Sequence, residues 1–395
     1  MSILGFLAFV VALLFSVMVH EFGHFITARK FGMKVTEFFL GFGKRLWSFR
    51  RGETEFGIKA IPAGGYCRIV GMSVHEEMSP EDTPRAFYTA SVPKRLIVLG
   101  AGSFLHFVLG FLAIFILLVG VGTTSTTNIV GSVAPCLAPA GSSCAASDTP
   151  SPAIAAGIKA GDKIAAINGV AISEWSAAVT KIRASANRTL IMTIERGGVQ
   201  SQIRITPQPH LINGQTVGQV GLINKLGNKR ANPFSAIQQS SDISRQLFTS
   251  SISSLVKLPT KVVPLIKETF GNQKRDPQGL VGVVGVARVS AQTASDPRLA
   301  TSEKIATFLL IVASLNIFVG VFNLLPLLPM DGGHIAVAIA DGFRRIWARR
   351  RGRPSPAPID VEKLTPITIV VFVFLVALSL LLLAADIFNP VQLNL

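Results

Sequence analysis

The sequence predicts a polytopic α-helical membrane protein of about four transmembrane helices. It also predicts an extracytoplasmic α+β domain and a membrane-associated β-hairpin. Three observations carry this. Hydrophobic residues make up 49% of the chain and charged residues only 15%, where soluble domains carry roughly 25% charged. Four runs of about 20 or more mostly apolar residues recur, the length a bilayer demands. Lysine and arginine crowd the ends of those runs, as interfacial anchors do.

Residues 1–30 hold the first span. It is apolar from Ile3 to Val19 and continues through His20-Glu21-Phe22-Gly23-His24 to Ala28. A signal peptide needs a basic start and a small-residue cleavage site. Only Met1 and Ser2 precede this run and no such site follows, so a retained helix of ~39 Å is expected. Residues 31–94 connect to the next span. Within them Thr54–Val70 has strand composition, with Phe56, Ile58 and Ala60 alternating before Pro62 and Gly64-Gly65. That pattern reads as a hairpin at the membrane, with an ordinary cytoplasmic loop as the alternative.

Residues 95–122 hold the second span, apolar from about Leu96 to Val121 behind the Lys94-Arg95 anchor. Residues 123–225 read as the α+β domain. Strands are expected at Asn128–Gly131, Ile164–Ile167, Thr189–Glu195 and Gln200–Ile205. Turns fall at Asn168-Gly169 and Gly197-Gly198, and a helix near Trp175–Ala184. Residues 226–302 read as juxtamembrane helices, with Phe234–Phe270 amphipathic. Residues 303–348 hold the third span, about Ile305–Leu325, and a cytoplasmic helix. Residues 349–364 form a basic loop. Residues 365–395 hold the fourth span, about Pro366–Ile387, and a tail.

Charge orients the spans. The loop from Arg29 to Arg95 and the stretch Arg344–Arg353 (RRIWARRRGR) are dense in basic residues near membrane ends, so both are expected in the cytoplasm. Both termini and the segment from about Gly122 to Ser302 then lie outside. The net charge of +16 fits anchoring, with anionic lipid beside Arg344–Arg353. No nucleic-acid recognition motif accompanies it. Three cysteines exclude a disulfide scaffold or an array of zinc fingers. Cys136 and Cys144 share the outer loop, where an oxidising compartment permits a bridge; two free thiols are the alternative. Cys67 faces the cytoplasm and stays a thiol.

The strongest chemical signal is His20-Glu21-Phe22-Gly23-His24. On a helix, positions i and i+4 share a face, so His20 and His24 can bind one zinc ion. Glu21 stands beside them as a general base. Three ionisable residues at the end of an apolar run are costly and need partners. His20 falls about 27 Å along the helix, which sets the site in the bilayer toward the cytoplasmic face. Catalytic zinc takes three protein ligands. Asp331 is the best third candidate, in NLLPLLPMDGGH, where Pro326 and Pro329 break the third span and two glycines follow. Broken backbone at membrane depth lines a cavity or is buried in protein. The alternative for Asp331 is a helix N-cap, and His334 is a weaker ligand candidate. A transporter would also place ionisable groups in its spans, but it needs no base beside two i, i+4 imidazoles. A zinc protease with a soluble site would carry HExxH outside a span.

HEFGH in a first span paired with NLLPLLPMDGGH in a later one resembles the site-2 protease family, the intramembrane zinc metalloproteases. Gly64-Gly65-Tyr66 resembles that family's glycine-rich loop. Ser151–Ile164 with Ile167-Asn168-Gly169 resembles a PDZ domain, in one copy as in the bacterial single-PDZ members. The resemblance implies that His20, His24 and Asp331 bind Zn2+, that Glu21 is the base, and that Asn323 holds substrate backbone. It implies a multi-pass bacterial cell-membrane enzyme. Its substrates would be single-pass proteins such as anti-sigma factors, already cut outside by a site-1-type protease, with the PDZ-like domain gating access. Two departures stand out. Met330 replaces a common leucine. AGSFLHF places His106 where many members have asparagine, either with a role of its own or as a buried, hydrogen-bonded histidine. An unwound substrate could add as a strand along the Ile58, Ala60, Gly64 and Gly65 hairpin.

Overall fold

The computed structural model describes residues 2–137, 144, 148–212, 215–271, 273, 275–276 and 279–390. Among the described residues, four helical segments are long and apolar enough to cross a membrane: Ile3–Lys30, Val92–Val121, Thr301–Asn323 and Val361–Phe388. The first is helix α1 (Ile3–Lys30), opened by the Ser2 side chain accepting from the Gly5 N–H and closed by Arg29 and Lys30. The next is α2 (Val92–Ile116), which starts on a proline and ends in a π-turn at Leu117–Val121.

Between them run two long strands, β1 (Val35–Arg51) and β2 (Thr54–Ile69). Their pairing is not a plain ladder. Glu37–Leu40 is flanked by Glu55–Ile58 on one side and Gly65–Arg68 on the other. Both strands therefore fold back, and the Gly65–Ile69 run is an outer edge. Gly41 sits at φ 88°, where a Cβ would meet the Ile61 carbonyl. Sequence reading placed strand character only at Thr54–Val70. β1 was not expected, because charged residues and two glycines interrupt its alternation.

Residues 122–230 form one compact unit and the rest of the chain the other. The smaller unit has an antiparallel sheet of strands β3 (Thr123–Val133), β4 (Lys163–Ile167), β5 (Val170–Ala171), β6 (Leu190–Arg196), β7 (Val199–Ile205) and β10 (Leu222–Lys229). Their order is β10-β3-β4-β6-β7, with β5 beside β4. Helices α3 (Pro152–Ala155) and α4 (Trp175–Arg183) complete it, with a separate hairpin of β8 (Gln208–Ile212) and β9 (Gln215–Gln219). Its core centres on Val130, Ile164, Ile167, Met192 and Ile194. The Asp162 carboxylate accepts from both Arg196 Nε (2.6 Å) and Nη2 (2.7 Å), and from the Lys159 N–H (2.8 Å). Cys136 and Cys144 are joined, with sulfurs 1.99 Å apart. The expected strands and helix appear, whereas β5, β8, β9 and β10 were not expected. Those four are short or largely polar, so they carry no alternation to read.

In the larger unit the amphipathic stretch is two helices, α5 (Pro233–Val256) and α6 (Leu258–Phe270), separated at Lys257 ahead of Pro259. Helix α7 (Val283–Ser295) follows, then α8 (Thr301–Asn323), α9 (Asp331–Arg350) and α10 (Thr365–Phe388). Helix α2 is central, packed on α1, α5, α8 and α9. Lipid tails are as apolar as leucine, so membrane helices gain by close backbone approach at small residues. A Cβ on Gly23 would lie 2.7 Å from the Ala101 carbonyl oxygen, and one on Gly110 2.7 Å from Ile317. Gly5 of α1 fits as tightly against α7 at Ala294.

Candidate active site

Helix α1 carries His20, Glu21 and His24, and both histidines are buried. They face α2 at Gly102. A Cβ there would lie 2.5 Å from His20 Cε1 and 2.6 Å from His24 Nε2, so only glycine lets the helices close at this level. His24 Nδ1 is 2.8 Å from the Val98 carbonyl oxygen. A carbonyl only accepts, so the proton sits on Nδ1 and the lone pair on Nε2.

The break after α8 supplies the third group. Residues 324–330 leave the helix and α9 restarts at Asp331. Met330, not Asp331, occupies the cap position, and no side chain caps this helix. The N-cap reading of Asp331 therefore does not describe it. Asp331 Oδ2 lies 3.2 Å from His20 Nε2 and 3.3 Å from His24 Nε2, and the two nitrogens are 3.1 Å apart. Gly332 and Gly333 permit this. A Cβ on Gly332 would collide with the carbonyl oxygens of Leu324 and Leu325, and one on Gly333 with the backbone of Leu327 and Leu328.

The three groups fit a zinc ion. Ligands about 2.0–2.1 Å from a tetrahedral zinc are about 3.3 Å from each other, close to the separations here. His20 Nδ1 and Asp331 Oδ2 are buried with no hydrogen-bond partner. Two imidazole nitrogens and a carboxylate oxygen converging in a buried place are stabilised by a cation. His334 lies one turn beyond Asp331. It is not among the three residues whose ligand atoms lie within 4.8 Å of one another.

Glu21 sits beside this cluster, next to the Cys67 backbone of β2. Gly65 brings the hairpin against it: a Cβ there would lie 3.3 Å from Glu21 Cγ and 3.0 Å from Met18 Sδ. Burial, with the Glu21 charge nearby, pushes the Cys67 thiol up, so it stays protonated. Gly65 thus borders the cluster, whereas Gly64 abuts the Phe42 ring. Ile58 and Ala60 are exposed, but Ile58 is paired with both Leu40 and Trp47. It is an inner position of the hairpin, not an edge. Asn323, half-buried, ends α8 on the other side of the break from Asp331.

His106 of α2 is buried, its ring centroid 4.9 Å from that of His20. Its Nδ1 lies 2.9 Å from Asn316 Oδ1, and Asn316 Nδ2 donates to Ser16 Oγ at 3.0 Å. This chain ties α2, α8 and α1 together behind the cluster. Sequence reading did not find Gly102, Val98 or Asn316. The spacing from Gly102 to His106 on one helix face was the available signal for the first; Val98 acts through a backbone atom and leaves none.

Membrane-length helices carrying a His-His-Asp cluster with a half-buried glutamate beside it fit the class of intramembrane metalloproteases. The sequence matches peptidase family M50 over residues 8–356. The chain belongs to that family, the site-2 proteases, and is a zinc metalloprotease. It is 36% identical over 410 residues to the zinc metalloprotease Rip1 of Mycobacterium tuberculosis, covering 100% of this chain and 99% of the relative. It is 35% identical to Rip1 of Mycolicibacterium smegmatis over 408 residues, covering 99% and 98%. The regulator of sigma-E protease RseP of Salmonella typhimurium is 26% identical over 420 residues, covering 83% and 88%. The family resemblance read from the two motifs holds, and so does zinc as the cofactor.

Proposed function

We propose that this protease cuts peptide bonds inside transmembrane segments of single-pass proteins, as the second cut in a signalling cascade. His20, His24 and Asp331 hold the zinc and Glu21 is the general base. The observation that carries this is the convergence of two Nε2 atoms and one Oδ2 within 3.1–3.3 Å at the end of an apolar helix. Bound zinc supplies Lewis acidity to the scissile carbonyl and to water. Glu21, next to the cluster, takes the proton from the attacking water and passes it to the leaving amine. Val98 and Gly102 keep His24 in its tautomer and place.

A helical substrate hides its carbonyls in its own hydrogen bonds and has to unwind. The Gly65–Ile69 run of β2 has no neighbouring strand on its outer side among the described residues. It offers main-chain groups to an unwound segment beside Glu21. Gly64 and Gly65 keep that edge close, Ile58 and Ala60 shape the hairpin, and Asn323 binds substrate backbone. The basic loops support a cytoplasmic placement for the hairpin and the basic stretch Arg344–Arg353. The β unit then lies outside, reads as PDZ-like, and gates substrates already cut by an upstream protease. A relative named as a regulator of sigma E supports membrane-anchored anti-sigma factors as the substrate class. Anionic lipid is the proposed partner of Arg344–Arg353.

The test is cleavage of a panel of tagged single-pass segments by the purified chain, beside Glu21→Gln and with a zinc chelator added. Cleavage lost in both controls is expected. A zinc-loaded wild type that cuts none of the panel, including anti-sigma segments, would remove this reading.

A further inference from the structure

Helix α9 has two faces with different neighbours. Ile335, Ala338 and Gly342 lie on the side packed against α2. Asp341 is buried there, its Oδ2 2.6 Å from Arg95 Nη2 and 3.1 Å from Arg345 Nη2. A second stripe is formed by Ile339, Phe343, Ile346 and Trp347, at i, i+4, i+7 and i+8. These are 39%, 69%, 54% and 58% exposed. Side chains so spaced share one helical face. Phe343, Arg344, Ile346, Trp347 and Arg350 line an open hollow of about 330 Å³ on it.

Charge identifies the occupant. Residues 344–353 contain six arginines and no acid, and the Arg351 guanidinium lies over the Trp347 ring at 3.9 Å. The last turn of α9 holds Arg349 and Arg350, which complement the helix C-terminus, and Arg345 pairs with Asp341; Arg344, Arg351 and Arg353 exceed that need. Connectivity points the same way. The chain leaves one span at Asn323 and enters the next at Thr365, so α9, roughly 30 Å long, is tethered to one membrane face at both ends. An apolar stripe rimmed by arginine at that level matches acyl chains below and phosphodiester headgroups above.

We propose that the C-terminal half of α9 docks on an anionic phospholipid leaflet, and that this docking holds the helix whose first residue is Asp331. Lipid charge would then reach the metal centre along one rigid helix, pinned midway by the Arg95–Asp341 pair. The second part rests on Asp331 as a zinc ligand.

The experiment uses the full chain in vesicles of phosphatidylcholine alone or with phosphatidylglycerol, one lipid brominated at a time. The Trp347 signal is the difference between wild type and Trp347→Phe. Brominated phosphatidylglycerol is expected to quench it at least about threefold more than brominated phosphatidylcholine. The preference should vanish in Arg349→Gln/Arg350→Gln/Arg351→Gln and persist in the matching lysine variant. Equal quenching by the two lipids overturns the docking, as does a preference that survives in the glutamine variant. No quenching by either lipid also overturns it, and would assign the face to protein. Zinc retention against a chelator is read on the same samples and should be several-fold longer with phosphatidylglycerol. Equal retention overturns the link to Asp331. Neither readout needs proteolysis, so failure here is distinct from failure of the protease reading.

Discussion

His24 of α1 presents its Nδ1 to the carbonyl oxygen of Val98 on α2 at 2.8 Å, with Gly102 one turn further along α2 against the imidazoles of both His20 and His24. The second helix thus orients a group borne by the first, through a backbone atom and a missing side chain. Loss of such outer partners typically costs about 10–100-fold in metal affinity or activity.

Gly102→Ala would set a methyl where His20 Cε1 and His24 Nε2 now lie 2.5 and 2.6 Å from the Cβ position. The imidazoles must shift or the helices part. A loss of about 10–100-fold in zinc affinity is expected, measured by chelator competition, with unchanged helix content. Wild-type affinity in this variant would show that the helices have slack here.

Removing the base and removing a ligand should separate. Glu21→Gln keeps the size of the side chain and removes the proton acceptor, so cleavage should fall by about 10²–10⁴-fold with zinc retained. Asp331→Asn weakens the only anionic member of the cluster. Zinc content by elemental analysis should fall with cleavage. A zinc-free Glu21→Gln would reassign Glu21 to metal binding.

The parts of this site visible in the sequence are those set by local periodicity. HEFGH places two imidazoles on one face because an α-helix does so wherever it forms. Two prolines and two glycines around Asp331 announce a break within a span. Val98 and Asn316 were not legible, since each matters through a neighbour more than 70 residues away in sequence. The same holds for β1. Its Glu37–Leu40 run is held between two runs of β2, a tertiary arrangement that its interrupted alternation does not reveal. In the smaller unit the alternating strands β6 and β7 were readable, while the polar edge strand β10 gains its place by pairing with β3.

Asn316 is fully buried. It donates to Ser16 Oγ and to the Val312 carbonyl and accepts from His106. Asn316→Leu keeps the branched shape and the number of heavy atoms and strands the His106 N–H. Interhelical hydrogen bonds in membranes are worth about 0.6–2 kcal/mol, so thermal unfolding in detergent should shift down by a few degrees. An unchanged midpoint would mean that His106 finds another acceptor.

The smaller unit should show an acid-sensitive component. Arg196 beside Asp162 holds this carboxyl below its ordinary value of 3.8. A carboxyl depressed in the folded state stabilises it above its unfolded pKa, and that contribution is lost as pH falls through the folded value. Asp162→Asn should therefore lower the unfolding midpoint at pH 7, and the gap to wild type should shrink below about pH 4. Near-ultraviolet circular dichroism can follow this. A gap constant from pH 7 to pH 3 would mean that the pair adds nothing that titrates.

Gly65 gives the sharpest test of the hairpin. Its Cβ position lies 3.3 Å from Glu21 Cγ, 3.2 Å from the Phe39 carbonyl oxygen and 3.0 Å from Met18 Sδ. A valine there must push β2 away from α1 or move the Glu21 side chain, and the proposed zinc ligands stand on α1 and α9. Zinc content should stay at the wild-type level while cleavage falls by at least about tenfold, since an ångström of misplacement can cost 10²-fold. A proline at Ile58 is less informative, because that residue is paired on both sides and its loss would disrupt the hairpin whether or not substrate adds to it. The Gly65–Ile69 run is paired on one side only, so an unchanged rate there bears on the edge itself. If Gly65→Val cuts the same segments at the wild-type rate, the hairpin edge is not where substrate is held, and strand addition is removed from the mechanism while the zinc chemistry stands.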